Sequence, residues 1–136
     1  MTGKASRDKG KRGELEIVHL LRDNLGIAVN RNYKQTAQAQ HGDIEQLVGG
    51  HVIEVKNCKA TSNIKAWWQQ ACAAADKVGG IPCLAYKIER RGWRFVVPMP
   101  EAWSSGHAWR RELNYTNTMF EEGFFLYMRE RIGSGM

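Results

Sequence analysis

Apolar residues early in the chain recur at the spacing of a helix. From about Gly10 to Leu25, the residues Glu14, Ile17, Val18, Leu21 and Leu25 fall on one face in three- and four-residue steps, and Gly26 follows as a stop signal. Ile27 to Tyr33 is predicted as a strand, and the polar stretch Lys34 to Gln40 as a loop. Gly42 to Val48 and His51 to Asn57 read as two short strands joined at Gly49-Gly50, a hairpin signal. Ser62 is placed to cap a second helix, in which Ile64, Trp67, Trp68, Ala71, Cys72, Ala75 and Val78 form a complete apolar stripe ended by Gly79-Gly80. Ile81 to Ile88 and Trp93 to Met99 are predicted strands around a turn containing Arg91-Gly92, and Pro98 and Pro100 close that region. Beyond Glu101 the pattern is poor. Phe120 to Ile132 reads as a helix interrupted by Gly123 or as a strand, the helix being preferred. This order predicts an α/β fold with a central mixed β-sheet flanked by helices.

The length of 136 residues suits one domain with a real core. We expect a basic, flexible arm over residues 1–9, a core over 10–99 and a C-terminal extension of unassigned role over 100–136. No apolar run is long enough to cross a bilayer, and Met1 to Gly13 is polar and basic, unlike a signal peptide. Cys58, Cys72 and Cys83 are scattered and lack the pairing of a zinc or redox motif. They read as reduced thiols, which implies a cytoplasmic setting. The net charge of +6 favours a polyanionic partner. Lys4, Arg7, Lys9, Lys11 and Arg12 crowd the start, and Arg31, Lys34, Lys56, Lys59 and Lys65 follow. Either a solubilising surface or a set of phosphate contacts accounts for them.

Acids change the picture more than net charge does. Strand alternation puts Val52, Glu54 and Lys56 on one face. A two-residue loop at Val48-Gly49 would set Asp43 opposite Glu54; one at Gly49-Gly50 would set Asp43 opposite Lys56 and Glu45 opposite Glu54. Either register gathers Asp43, Glu54 and Lys56 on one side of the sheet. Two neighbouring carboxylates repel. Lys56 alone makes them a surface ion network; a divalent cation between them makes them a metal site. Glu14 lies on the apolar stripe of the first helix, where a carboxylate is costly unless paired or bound to metal. Its place near the helix start is a second, purely electrostatic explanation. Glu16 reads as an ordinary surface acid. His41 is read as a bystander, and His19, His51 and His107 have no metal-ligand spacing. Trp67 and Trp68 read as core. Trp103, Trp109, Phe124 and Phe125 are left to cap the sheet or form a dimer contact.

Gly42-Asp43 followed by Ile53-Glu54-Val55-Lys56 resembles the active-site core of the PD-(D/E)XK nuclease superfamily, with Gly42 where the family name has proline. Lys9-Gly10-Lys11-Arg12-Gly13-Glu14-Leu15-Glu16 resembles the opening of archaeal-type Holliday junction resolvases and their phage relatives, and the likeness extends from roughly Arg7 to Met99. The resemblance implies a restriction-endonuclease-like core. It implies that Asp43, Glu54 and the Val55 carbonyl hold Mg²⁺, with Mn²⁺ as a substitute, and that Glu14 is a further metal or water ligand. Lys56 would position the attacking water. The partners implied are DNA, branched or four-way, and a second copy in a homodimer, with no membrane. Lys9, Lys11, Arg12, Arg31, Lys34, Lys59 and Gln69 are the candidate DNA contacts. A relative cutting ends, flaps or specific sites, and a non-catalytic DNA-binding protein of the same fold, are the alternatives.

Overall fold

Two stretches of continuous chain, His51–Cys58 (β1) and Ile81–Ile88 (β2), lie side by side in parallel and are linked through a helix, Ile64–Val78 (α2). The computed structural model describes residues 3–32, 42–58, 63–88, 90–103 and 110–133. Trp93–Pro98 (β3) pairs antiparallel with β2, and Thr116–Met119 (β4) pairs antiparallel with β3. The strand order is β1-β2-β3-β4. Gly3–Leu25 (α1) and Glu121–Gly133 (α4) pack on one face, and α2 packs on the other. The predicted mixed sheet between helices is therefore present. Among the described residues between β3 and β4 are a short helix, Pro100–Trp103 (α3), and a 3-10 turn, Leu113–Tyr115.

The apolar pattern accounts for these layers. β2 is covered on both sides, so it reads as a nearly continuous apolar run. Its Cys83 and Ala85 face Ile17, Val18 and Leu21 of α1 and Phe124 of α4. Its Leu84, Tyr86 and Ile88 face Trp68, Ala71 and Cys72 of α2. Trp68 is fully buried and its indole N–H donates to the Arg111 carbonyl at 2.7 Å, so it is core, as its helix position implied. α2 ends at Gly79, where the stop was expected. Its proposed cap Ser62 lies outside the described residues; Asn63 occupies the cap position without a side-chain bond.

Four expectations need correction. The basic stretch read as a flexible arm is helical from Gly3, as the first two turns of α1. Ile27 to Tyr33 and Gly42 to Val48 are not sheet strands within the described residues. Single bridges hold them instead: Arg31 to Ile44, Gly42 to Ile53, and Val48 to His51. The hairpin begins at Gly49-Gly50, with two Val48–His51 backbone bonds of 3.0 and 2.8 Å, then leaves the antiparallel register. Further along, Asp43 meets β1 through its side chain, which takes the Val55 N–H in place of a ladder bond. Glu45, opposite Glu54 in one of the two registers, is exposed. Finally, the preferred helix over Phe120 to Ile132 is present as α4, and the poorly patterned stretch before it supplies β4, which was not expected. Phe124 and Phe125 are buried against Phe95 and cap the sheet. Trp103 packs at the edge of the α2 cluster, and Trp109 lies outside the described residues.

His51 ties α4 to the glycine turn. Its Nδ1 faces the Val48 and Gly49 carbonyls, so Nδ1 donates and Nε2 accepts from the Tyr127 hydroxyl at 2.8 Å. Burial, with Arg131 nearby, lowers its pKa to about 4 and keeps the ring neutral.

Candidate active site

Glycine at position 42 is demanded by the backbone. Its φ is +74°, which proline cannot adopt, and a Cβ there would meet the Ile53 carbonyl at 2.8 Å and Glu54 Oε1 at 3.1 Å. The close approach lets the Asp43 N–H donate to the Ile53 carbonyl at 3.0 Å. The Asp43 Oδ2 then accepts from the Val55 N–H at 2.8 Å. Asp43 is thereby fixed against the outer edge of β1. The N–H and C=O of one residue leave a strand on the same side, so the Val55 carbonyl faces this edge too. Glu54 and Lys56 project from the α2 face of β1, in step with Leu84 and Tyr86.

Gly13 brings the third acid. A Cβ at Gly13 would lie 2.8 Å from the Asn57 Cβ, and the Asn57 amide donates to the Lys9 carbonyl at 3.0 Å. This tight contact of α1 on β1 buries Glu14, which is 8 % exposed and pairs with Arg31 Nε at 2.5 Å. The Asp43 carboxyl lies near enough to Glu14 and Glu54 for each neighbour's charge to act on it or on its partner. The structure thus gathers Glu14, Asp43, Glu54 and Lys56 at one place, by a route other than the simple hairpin.

The electrostatics identify what the site lacks. Burial, then the neighbouring Glu14 charge, pushes Asp43 up to about 6 despite the Val55 N–H. Burial, then the Asp43 charge, pushes Glu54 up to about 8. Lys56 opposes both shifts without cancelling them. Burial is the larger cause of both shifts, so the two carboxyls are held toward their protonated forms in the metal-free chain. Among the described residues no three His, Cys, Asp or Glu side chains form a ready-made metal cage. Mg²⁺ does not require one: it is commonly held by one or two carboxylates, with water and substrate phosphate completing the shell. Asp43, Glu54 and the Val55 carbonyl fit that donor set.

This predicts a stability signature. Both carboxyl pKa values are higher in the folded than in the unfolded chain. Their stabilising contribution is present below the unfolded values and lost as pH rises through about 6 and about 8. His51, lowered to about 4 in the folded chain, opposes this slope only while its unfolded form still takes up a proton, a contribution that fades above about pH 7. In EDTA the melting temperature is therefore expected to fall by several degrees from pH 6.5 to 8.5. Glu54→Gln is expected to flatten the curve, and Mg²⁺ to raise the wild-type value more at pH 8.5 than at 6.5. A flat wild-type profile, read by thermal scanning, counts against a charge-crowded pair.

A Gly-Asp corner and a Glu-Val-Lys strand that share one edge, with a helix glutamate closing on them, define a nuclease core of the PD-(D/E)XK type. The chain belongs to the family described as "Phage putative PDDEXK endonuclease", whose model matches residues 5–127. It is 28 % identical over 112 residues to Protein D14 of Escherichia phage T5, covering 68 % of this chain and 70 % of that protein. A solved structure, a Holliday junction resolvase from the archaeal hyperthermophile Archaeoglobus fulgidus, is 27 % identical with a TM-score of 0.44. The match covers 64 % of this chain and 70 % of the resolvase chain. The protein is thus a nuclease by family, and no helix among the described residues is long and apolar enough to cross a membrane.

The remaining candidates divide. Lys11 and Arg12 are exposed on α1, and Lys9 is half-buried, its carbonyl held by Asn57. Arg31, read as a phosphate contact, is committed to Glu14. Gln69 is exposed on α2 and shares no hydrogen bond with the carboxylates. Lys34, Lys59 and His41 lie outside the described residues. Glu16 is not a bare surface acid: it accepts from Lys87 Nζ at 2.8 Å and the Trp93 indole at 3.1 Å. Reasoning from sequence missed the Arg31–Glu14 pair.

Proposed function

We propose that the protein is a divalent-metal-dependent endonuclease that resolves four-way or otherwise branched DNA by phosphodiester hydrolysis. The observation that carries the chemistry is the half-buried Asp43–Glu54 pair, with both carboxyls raised, beside Lys56. Asp43, Glu54 and the Val55 carbonyl would hold Mg²⁺, or Mn²⁺ in its place. When bound, such a cation lowers the pKa of the attacking water and neutralises charge growing on phosphate. Lys56 hydrogen-bonds that water and faces the developing phosphoryl charge. Glu14, anchored by Arg31, places a negative charge near Asp43, whose carboxyl is held by the Val55 N–H. Lys9, Lys11 and Arg12 draw the phosphate backbone across the start of α1.

Branched DNA is favoured by the likeness of Lys9 to Glu16 to the resolvase opening. A four-way junction has two equivalent strands to cut, which suits a homodimer. The outer face of α4 suits the same arrangement. Leu126 is 59 % exposed there, with Glu122 toward the helix start and Arg129 toward its end. An antiparallel second copy of α4 would place acid against base. A cytoplasmic setting, in a bacterium or an infected host, agrees with free thiols at Cys58, Cys72 and Cys83.

The test is incubation with Mg²⁺, Mn²⁺ or EDTA and matched four-way, flap and linear duplex DNA. Paired symmetric nicks in the four-way form, absent in EDTA, are expected. Equal cutting of all three substrates would leave a nuclease but remove the junction preference. Undiminished cutting in EDTA would remove the metal.

A further inference from the structure

Arg90 is the one non-glycine residue with positive φ among the described residues, at +65°. A left-handed backbone strains any residue with a side chain, and such strain is commonly kept at functional sites. The β2–β3 turn has a glycine available, Gly92, yet that glycine does not take the left-handed position. Arg90 and its neighbour Arg91 are both exposed. Neither has an ion-pair partner among the described residues. Three acids share the groove beneath the turn: Glu16 is bonded to Lys87 and Trp93, and Asp23 and Glu121 form no ion pair with either arginine among the described residues.

The turn's position matters as much as its charge. β1 and β2 are parallel and in register, Glu54 beside Leu84, Lys56 beside Tyr86 and Cys58 beside Ile88. The turn therefore rises beyond the strand end that carries Lys56. The Lys9 carbonyl is bonded to Asn57 at that same end, so the basic first half of α1 continues past it. Arg90 lies six residues beyond Leu84, roughly 15–20 Å along the strand direction from Glu54. That is about five phosphate steps of duplex.

We propose that Arg90 and Arg91 form a second phosphate-contact site, gripping duplex DNA about five base pairs from the cut. This rests on the nuclease reading above. Arg90 and Arg91 line a groove with His19 and Asp23 of the second half of α1 at the end of β2, so in this proposal the backbone runs along the strand-end side of the sheet from the carboxylates to the turn. Neither residue belongs to the metal-binding set, so the site contributes to grip and register without altering the chemistry.

The test is anisotropy with a fluorescein-labelled four-way junction in EDTA, titrated from 50 to 200 mM salt, alongside thermal melting. Arg90→Gly is expected to weaken binding about five- to tenfold and to reduce the salt slope by about one. It is also expected to raise the melting temperature by a few degrees, because glycine relieves the turn. Arg91→Gln, which leaves the backbone alone, is expected to reproduce the binding loss without the thermal gain. Wild-type affinity and slope in both variants would overturn the proposal, whatever the melting temperatures. Wild-type protein that binds tightly but never cleaves would sink the nuclease chemistry while leaving this site standing; wild-type protein that binds no DNA would sink both.

Discussion

Asp43→Asn is expected to lower cleavage at least about a thousandfold while binding of the same DNA stays intact or becomes tighter. The asparagine Oδ1 can still accept the Val55 N–H that Asp43 Oδ2 accepts at 2.8 Å, so the Gly42-Asp43 corner keeps its shape. What disappears is one of the two charges that would neutralise a divalent cation. Metal-derived stabilisation of several kcal/mol at the transition state is about three powers of ten in rate. Binding moves the other way, because an anion facing phosphate is removed. The metal-free variant is also expected to melt higher than wild type above pH 6.5, since Glu54 loses its largest like-charge neighbour. Cleavage within tenfold of wild type, with binding unchanged, would show that Asp43 holds no catalytic metal. A collapse in melting temperature would instead point to Asp43 as a backbone brace alone.

The candidate site residues were legible because the proposed chemistry restricts them to few sequence patterns. Two acids near a hairpin signal, one lysine two residues on, and an acid on a core-facing helix stripe are all visible as letters. Their geometry was not. The hairpin argument reached the right cluster by a register that the chain follows only at Val48–His51. Past that rung, the left-handed Gly42 and the side chain of Asp43 replace ladder bonds with a corner, and no periodicity encodes a corner. The same limit hid Arg31, whose pairing with Glu14 depends on tertiary placement. α2 and β2 were readable end to end, because one faces the core with a regular stripe and the other is buried on both sides. β4 was invisible: Thr-Asn-Thr-Met is short, half-exposed and an edge, so burial imposes almost no pattern on it.

α4 carried the same ambiguity, and its packing supports the other large expectation. Phe124 is fully buried and its ring stacks on Phe95 at 3.9 Å with planes 5° apart. Phe125 and Tyr127 pack around the same ring. Phe95 belongs to β3, adjacent to β2, so this stack couples the end of the chain to the middle of the sheet. Phe124→Ala removes the ring from a site that neighbouring aromatics cannot collapse to fill. The expected cost is about 3–5 kcal/mol. For a domain of this length that is roughly a 10–15 °C fall in melting temperature. Phe124→Leu, which keeps most of the volume, should fall between the variant and wild type. The carboxylate site lies on β1, two strands from Phe95, so the activity of the molecules still folded at low temperature is expected to stay at wild-type level. The predicted pattern is a large thermal loss with unchanged specific activity per folded molecule. A fall of less than about 2 °C would mean that α4 rests on the sheet without holding it together. Lost specific activity in fully folded Phe124→Ala would place α4 in the function, through a contact other than this stack.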